Sequence, residues 1–88
     1  MKIFLLFSLG VAKQQIRIRY QKQLSKMGTH IRKLREYQGM SQEQLAAEAE
    51  VPYSTVNEIE AGKTNPTIAS LMALSEALEV PVSEILDF

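Results

Sequence analysis

The chain has 88 residues, no cysteine and a single histidine, His30. That length supports one small domain, and that composition excludes disulfide frameworks and cysteine or histidine metal clusters and leaves catalysis by Cys–His or Ser–His pairs little to build on. The formal net charge is zero, yet residues 1–35 hold nine of the ten basic side chains (Lys2, Lys13, Arg17, Arg19, Lys22, Lys26, Arg32, Lys33, Arg35) and no acid, whereas residues 36–88 hold all ten acids and only Lys63. A division of that size points to a basic arm or face for a polyanion and an acidic half with another task; the alternative is that the halves attract each other within the fold or an oligomer.

The opening stretch MKIFLLFSLGVA places a short apolar run between Lys2 and the small residues Gly10 and Ala12. It has the outline of a minimal secretory signal cleaved after Ala12, but it is too short to cross a bilayer, which takes about 20 residues. Two further readings stand beside export: an upstream translation start, since Met27 would by itself begin a complete domain, and an apolar arm over residues 3–12 that packs on this domain or its partner. The rest of the chain reads as cytoplasmic, and the lack of cysteine suits a reducing compartment.

Residues 13–38 carry two competing periods. Ile16, Ile18 and Tyr20 alternate with Arg17 and Arg19, a strand signal. Ile16, Tyr20, Leu24, Met27, Ile31 and Leu34 recur at spacings of 4, 4, 3, 4 and 3, a helical stripe. The longer pattern predicts helix through much of 13–38, with Gly28-Thr29 as the candidate break.

After Gly39 the punctuation is dense. Ser41 with Gln44 forms a capping box, and Met40 with Leu45 fits a hydrophobic staple. The next helix, from 42 to about 49, turns Leu45, Ala46 and Ala49 inward. Pro52 suits the first turn of a third helix reaching about residue 61. There Val56 and Ile59 form the buried side. Ser54, Asn57, Glu58 and Ala61 lie opposite, with Tyr53 on the flank. Gly62 ends that helix, and Lys63-Thr64-Asn65-Pro66 is a loop. Thr67 caps a fourth helix with the stripe Ile68, Leu71, Leu74 and Leu78, and Pro81 opens a short fifth one from Val82 to about Leu86. Two helices joined by a tight turn, inside an all-α arrangement of five, describe a helix-turn-helix domain over 27–88 with a basic, helical extension over 1–26. The last nine residues offer Val80, Val82, Ile85, Leu86 and Phe88, more apolar surface than a terminal helix needs, so Val82, Ile85, Leu86 and Phe88 are expected to form a two-fold dimer contact.

The segment IRKLREYQGMSQEQLAAEAEVPYSTVNEIEAGKTNPTIASLMALSEALEVPVSEIL resembles the Cro and lambda-repressor class of helix-turn-helix domains, the Xre family. IRxLR, SQxxLA, STVxxIExGKxxP and the following leucine pattern stand in register, and the likeness runs from about Met27 to Leu86. It implies a sequence-specific regulator of transcription, a repressor, that binds double-stranded DNA as a homodimer with its third helix in the major groove and needs neither metal nor cofactor. It implies that Gln42 touches a phosphate, that Tyr53, Ser54, Asn57 and Glu58 face bases or phosphates, and that Lys63, Thr64 and Asn65 meet the backbone. Arg35 and Glu60 match a pair joining the first helix to the end of the third, a junction that an arginine–carboxylate fork can hold.

Glu50 and Glu79 depart from the family where glycine is frequent, and Pro52 stands where a Ser or Thr cap is common. Most acids are expected away from the groove, with Lys26, Arg32, Lys33, Lys63 or the basic 13–26 segment attracting phosphates. Glu58 alone is groove-facing, where a carboxylate can accept from cytosine N4. The rival reading is a protein-interaction module such as an antitoxin, in which the acidic half meets a partner protein. A membrane-attached or exported protein rests on residues 3–12 alone, and an enzyme has no nucleophile–base or ligand cluster to build on.

Overall fold

The computed structural model describes residues 15–88, so the readings of residues 1–12 as signal, upstream start or packed arm lie outside the described residues. Residues 15–19 are helical and pass through Tyr20 into α1, Gln21–Tyr37. The amide of Tyr20 donates to the Ile16 carbonyl at 3.2 Å and that of Leu24 to the Tyr20 carbonyl at 2.9 Å. The helical stripe therefore prevails over the Ile16–Tyr20 alternation. Only its later part packs: Leu24, Met27, Ile31 and Leu34 reach the core, while Ile16 and Tyr20 are exposed.

The candidate break at Gly28-Thr29 is instead the middle of α1. Gly28 is buried, and a Cβ there would fall on the carbonyl oxygens of Ile59 and Glu60. Glycine costs a helix about 1 kcal/mol against alanine, and here that cost accompanies a close approach of α1 to the end of a second helix.

The remaining helices are α2 (Gln42–Ala49), α3 (Tyr53–Glu60), α4 (Ile68–Ala77) and α5 (Val82–Ile85). Ser41 makes the full capping box, with Gln44 N donating to Ser41 Oγ at 3.0 Å and Ser41 N donating to Gln44 Oε1 at 2.7 Å. Thr67 caps α4 through the Ser70 amide at 3.0 Å.

The tripeptide Glu-Val-Pro occurs twice, at 50–52 and 79–81, and folds alike both times. Glu50 and Glu79 each take φ +56°. Val51 N donates to the Ala46 carbonyl and Val80 N to the Ser75 carbonyl, both at 3.0 Å, the closure of a Schellman turn. Both valines pack against the core, and Pro52 and Pro81 sit just outside the first turn of α3 and α5 as their N-caps. One local motif thus ends α2 and α4 and starts the helix that follows. In the first copy it is the turn of the helix-turn-helix.

Ile31, Leu45, Val56, Ile59, Leu74, Leu78 and Ile85 form the fully buried centre; each such side chain contributes about 1.5–3 kcal/mol of burial. Ile68 does not join them. It is 65% exposed on α4 and, with Met72, forms apolar surface where an inward stripe was expected.

Candidate nucleic-acid interface

Three elements meet at one corner. The carboxyl end of α1 brings Arg35, the amino end of α2 brings Gln42, and the last turn of α3 brings Glu60. Arg35 Nε donates to Glu60 Oε2 at 2.7 Å, Nη2 to Glu60 Oε1 at 2.9 Å and Nη1 to the Met40 carbonyl at 2.7 Å. The expected fork is thus present and buried. Its hydrogen bonds to Glu60 hold the Arg35 pKa above the ordinary arginine value, against desolvation, which pulls it down.

Gln42 carries the network outward. Its Nε2 donates to Glu60 Oε1 at 3.1 Å, and its Oε1 accepts from Tyr53 Oη at 3.1 Å and from Asn57 Nδ2 at 3.2 Å. The orientation of α3's outer face is therefore coupled to a buried ion pair through one amide. Among the described residues, Asn57 keeps its Oδ1 and one amide hydrogen clear of partners, enough for the acceptor–donor edge of adenine.

Tyr53, Ser54, Asn57 and Glu58 are exposed together on α3, and Lys63, Thr64 and Asn65 follow directly from its end. Glu58, Thr64 and Asn65 line one shallow depression with Thr67 and Ser70. Lys26 and Lys33 lie elsewhere: they line a groove with His30 and Phe88, where His30 Nε2 is 2.7 Å from the Glu84 carbonyl. At about 100° per residue, Lys33 is roughly 140° around α1 from Gly28, which faces α3. Among the described lysines, Lys63 is thus the one that follows directly on α3, and Lys26 and Lys33 face another way.

Sequence reasoning missed Gln21. Its Nε2 donates to the Gly62 carbonyl at 2.6 Å, closing the end of α3. Gln21, Ser25 and Gly28 recur at helical spacing beside the apolar stripe, and that second row was the signal.

A helix-turn-helix family model matches residues 31–85. Two solved structures are similar. One is the restriction-modification controller protein C.AhdI from Aeromonas hydrophila, with 33% identity over 73% of this chain and 97% of that one, at a TM-score of 0.72. The other is a tyrosine-to-phenylalanine mutant of the restriction-modification controller protein C.Esp1396I, with 36% identity over 72% of this chain and 84% of that one, at a TM-score of 0.66. No curated protein matches the chain.

Proposed function

The chain belongs to the Cro- and lambda-repressor-like helix-turn-helix family of DNA-binding transcriptional regulators, and on that premise we propose that it is a cytoplasmic repressor that binds a palindromic operator as a homodimer, with α3 in the major groove. The observation that carries the reading is the exposed row Tyr53, Ser54, Asn57 and Glu58, continuous with Lys63–Asn65 and latched to Gln42. Asn57 and Glu58 select bases; Gln42, Lys63, Thr64 and Asn65 hold phosphates. Repression follows from occupancy of a promoter. The likeness to two restriction-modification controllers makes genes of that kind the first to examine as targets.

The dimer contact uses the chain end, with one change of residue. Ile85 is fully buried in its own protomer, whereas Leu86 and Phe88 are each 49% exposed and Val82 is half-buried. Leu86 and Phe88, with the exposed part of Val82, therefore supply the contact and Ile85 supports it from within. Two α3 helices spaced about 34 Å apart then read half-sites one turn apart.

A second reading has its own observation. Glu48, Glu50, Glu76 and Glu79 line one cleft between α2 and α4, which favours a basic protein partner on that side.

Selection of bound sequences from random duplex DNA, with light scattering of the free and bound protein, tests the reading. Enrichment of a near-palindrome bound by two subunits is expected. No enrichment at low salt favours the protein-partner reading, and a monomer both free and on DNA removes the dimer.

A further inference from the structure

Arg17 lies outside the segment that matches the family, which begins at Ile31, yet hydrogen bonds tie it to the end of α3. Arg17 Nη1 donates to Gln21 Oε1 at 3.2 Å, and Gln21 Nε2 donates to the Gly62 carbonyl at 2.6 Å and to Ser25 Oγ at 3.1 Å. Gly62, at φ +69°, is where the backbone turns into Lys63–Asn65. The approach is too close for a side chain: a Cβ on Gly62 would stand 2.7 Å from Ser25 Oγ and 2.9 Å from Ser25 Cα. The leading turns of the long amino-terminal helix are thus fastened to the loop beside the reading face.

Charge supplies the rest. Among the described residues the ion pairs are Arg32–Glu36 and Arg35–Glu60, and Arg17 has an amide partner instead of a carboxylate. A guanidinium carries five donors in a planar fork that matches phosphate two-pronged. One donor is held by Gln21, and the others meet no side-chain acceptor among the described residues. Gln21 accepts from Arg17 and donates to Gly62 with the same amide, so it positions the guanidinium relative to Lys63.

We propose that Arg17, positioned by Gln21, is a phosphate-contacting residue that extends each subunit's grip on the DNA backbone beyond Lys63. The proposal rests on the DNA-binding reading above. Phosphate contacts carry no sequence information, so the test uses random-sequence duplex DNA. Binding constants are measured against salt for the wild type, Arg17→Gln, Arg17→Lys and Lys33→Gln, all below their melting temperatures. Lys33 serves as the control because it lies about 140° around α1 from the face that meets α3, and light scattering checks that Lys33→Gln keeps the wild-type subunit number.

Arg17→Gln is expected to make the slope of log affinity on log salt shallower by about one per subunit. Arg17→Lys keeps the wild-type slope, and so does Lys33→Gln. An unchanged slope in Arg17→Gln overturns the proposal, as does an equal loss in Lys33→Gln, which would report net charge alone. Failure of Arg17→Lys to keep the slope overturns it too. A wild-type protein with no salt-dependent affinity for duplex DNA would overturn the DNA-binding reading itself, and this proposal with it.

Discussion

Asn57 donates its side-chain amide to Gln42 Oε1 across 3.2 Å. A residue suited to reading a base is thereby tied to one suited to holding a phosphate. Tyr53 donates to the same oxygen, and Gln42 in turn donates to the buried Glu60. Reading and holding nonetheless separate by experiment. Asn57→Ala is expected to cost about 1–3 kcal/mol on the best site and to relax preference at one position per half-site, whereas Lys63→Ala weakens all sequences alike and flattens the salt slope by about one per subunit. A panel of single-base operator changes at two salt concentrations measures both. Equal weakening of every sequence by Asn57→Ala would make it a backbone contact.

Arg35→Ala is expected to lower folding stability by about 3–5 kcal/mol, because it leaves the Glu60 carboxylate buried without its partner. A double-mutant cycle in urea checks the pair, and coupling near zero would show it to be decoration. The raised Arg35 pKa comes first from its hydrogen bonds to Glu60. A raised pKa contributes stability that is present below the unfolded value and lost as pH climbs through the folded one. For arginine that window is strongly alkaline, so the Arg35 contribution stays constant across neutral pH.

Gly28→Ala should reverse the usual helix rule. In an open helix the change gains about 1 kcal/mol. Here the added methyl meets the backbone carbonyls of Ile59 and Glu60, and overpacking of this kind costs about 1–3 kcal/mol. Thermal unfolding of the variant decides the sign, and a raised melting temperature would mean that α1 can shift away from α3 at little cost.

Glu50→Gly and Glu79→Gly should each stabilise. Both residues hold φ +56°, a conformation costing a side-chain residue about 1–2 kcal/mol, part of which is returned because glycine gains freedom in the unfolded chain. A net gain of about 0.5–1 kcal/mol per site is expected from the two. Denaturant midpoints of the single and double variants test this, and because both carboxylates line the cleft between α2 and α4, a departure from additivity measures their mutual repulsion.

A chain beginning at Met27 is expected to remain helical and cooperatively folded, since the caps at Ser41 and Thr67 and the fully buried centre all lie beyond it. It loses Leu24 from the edge of the core and the Gln21 bond to Gly62, so a stability loss of about 1–2 kcal/mol is expected. Circular dichroism and urea titration against a chain beginning at Gln21 measure it. Equal stabilities would show that the first turns of α1 lie outside the folded unit.

Much of this molecule was legible without coordinates because its signals are local. Ser41 with Gln44, Thr67 before α4 and Gly62 after α3 act within four residues of themselves, so their chemistry is readable along the chain. The same holds for the outer face of α3, where a 3.6-residue period separates Val56 and Ile59 from Ser54, Asn57 and Glu58. The family pattern added the Arg35–Glu60 pair, 25 residues apart in sequence, and the geometry agrees with it.

Tertiary structure decided what depends on neighbours distant in sequence. Gly28 looked like a helix break because propensity sees only the helix, not the α3 carbonyls that require an absent side chain. Ile68 looked inward because a hydrophobic stripe does not say how far the covering elements reach. Ile85 looked available for a dimer for the opposite reason: periodicity marks a residue as apolar but not whether its own protomer already covers it. Gln21 carried no expectation of its own, and Gln42 carried only that of a phosphate contact at a helix start. An amide's role is set by whichever groups the fold brings within about 3 Å of it, and those groups, Gly62 and Glu60 with Asn57, come from elsewhere in the chain.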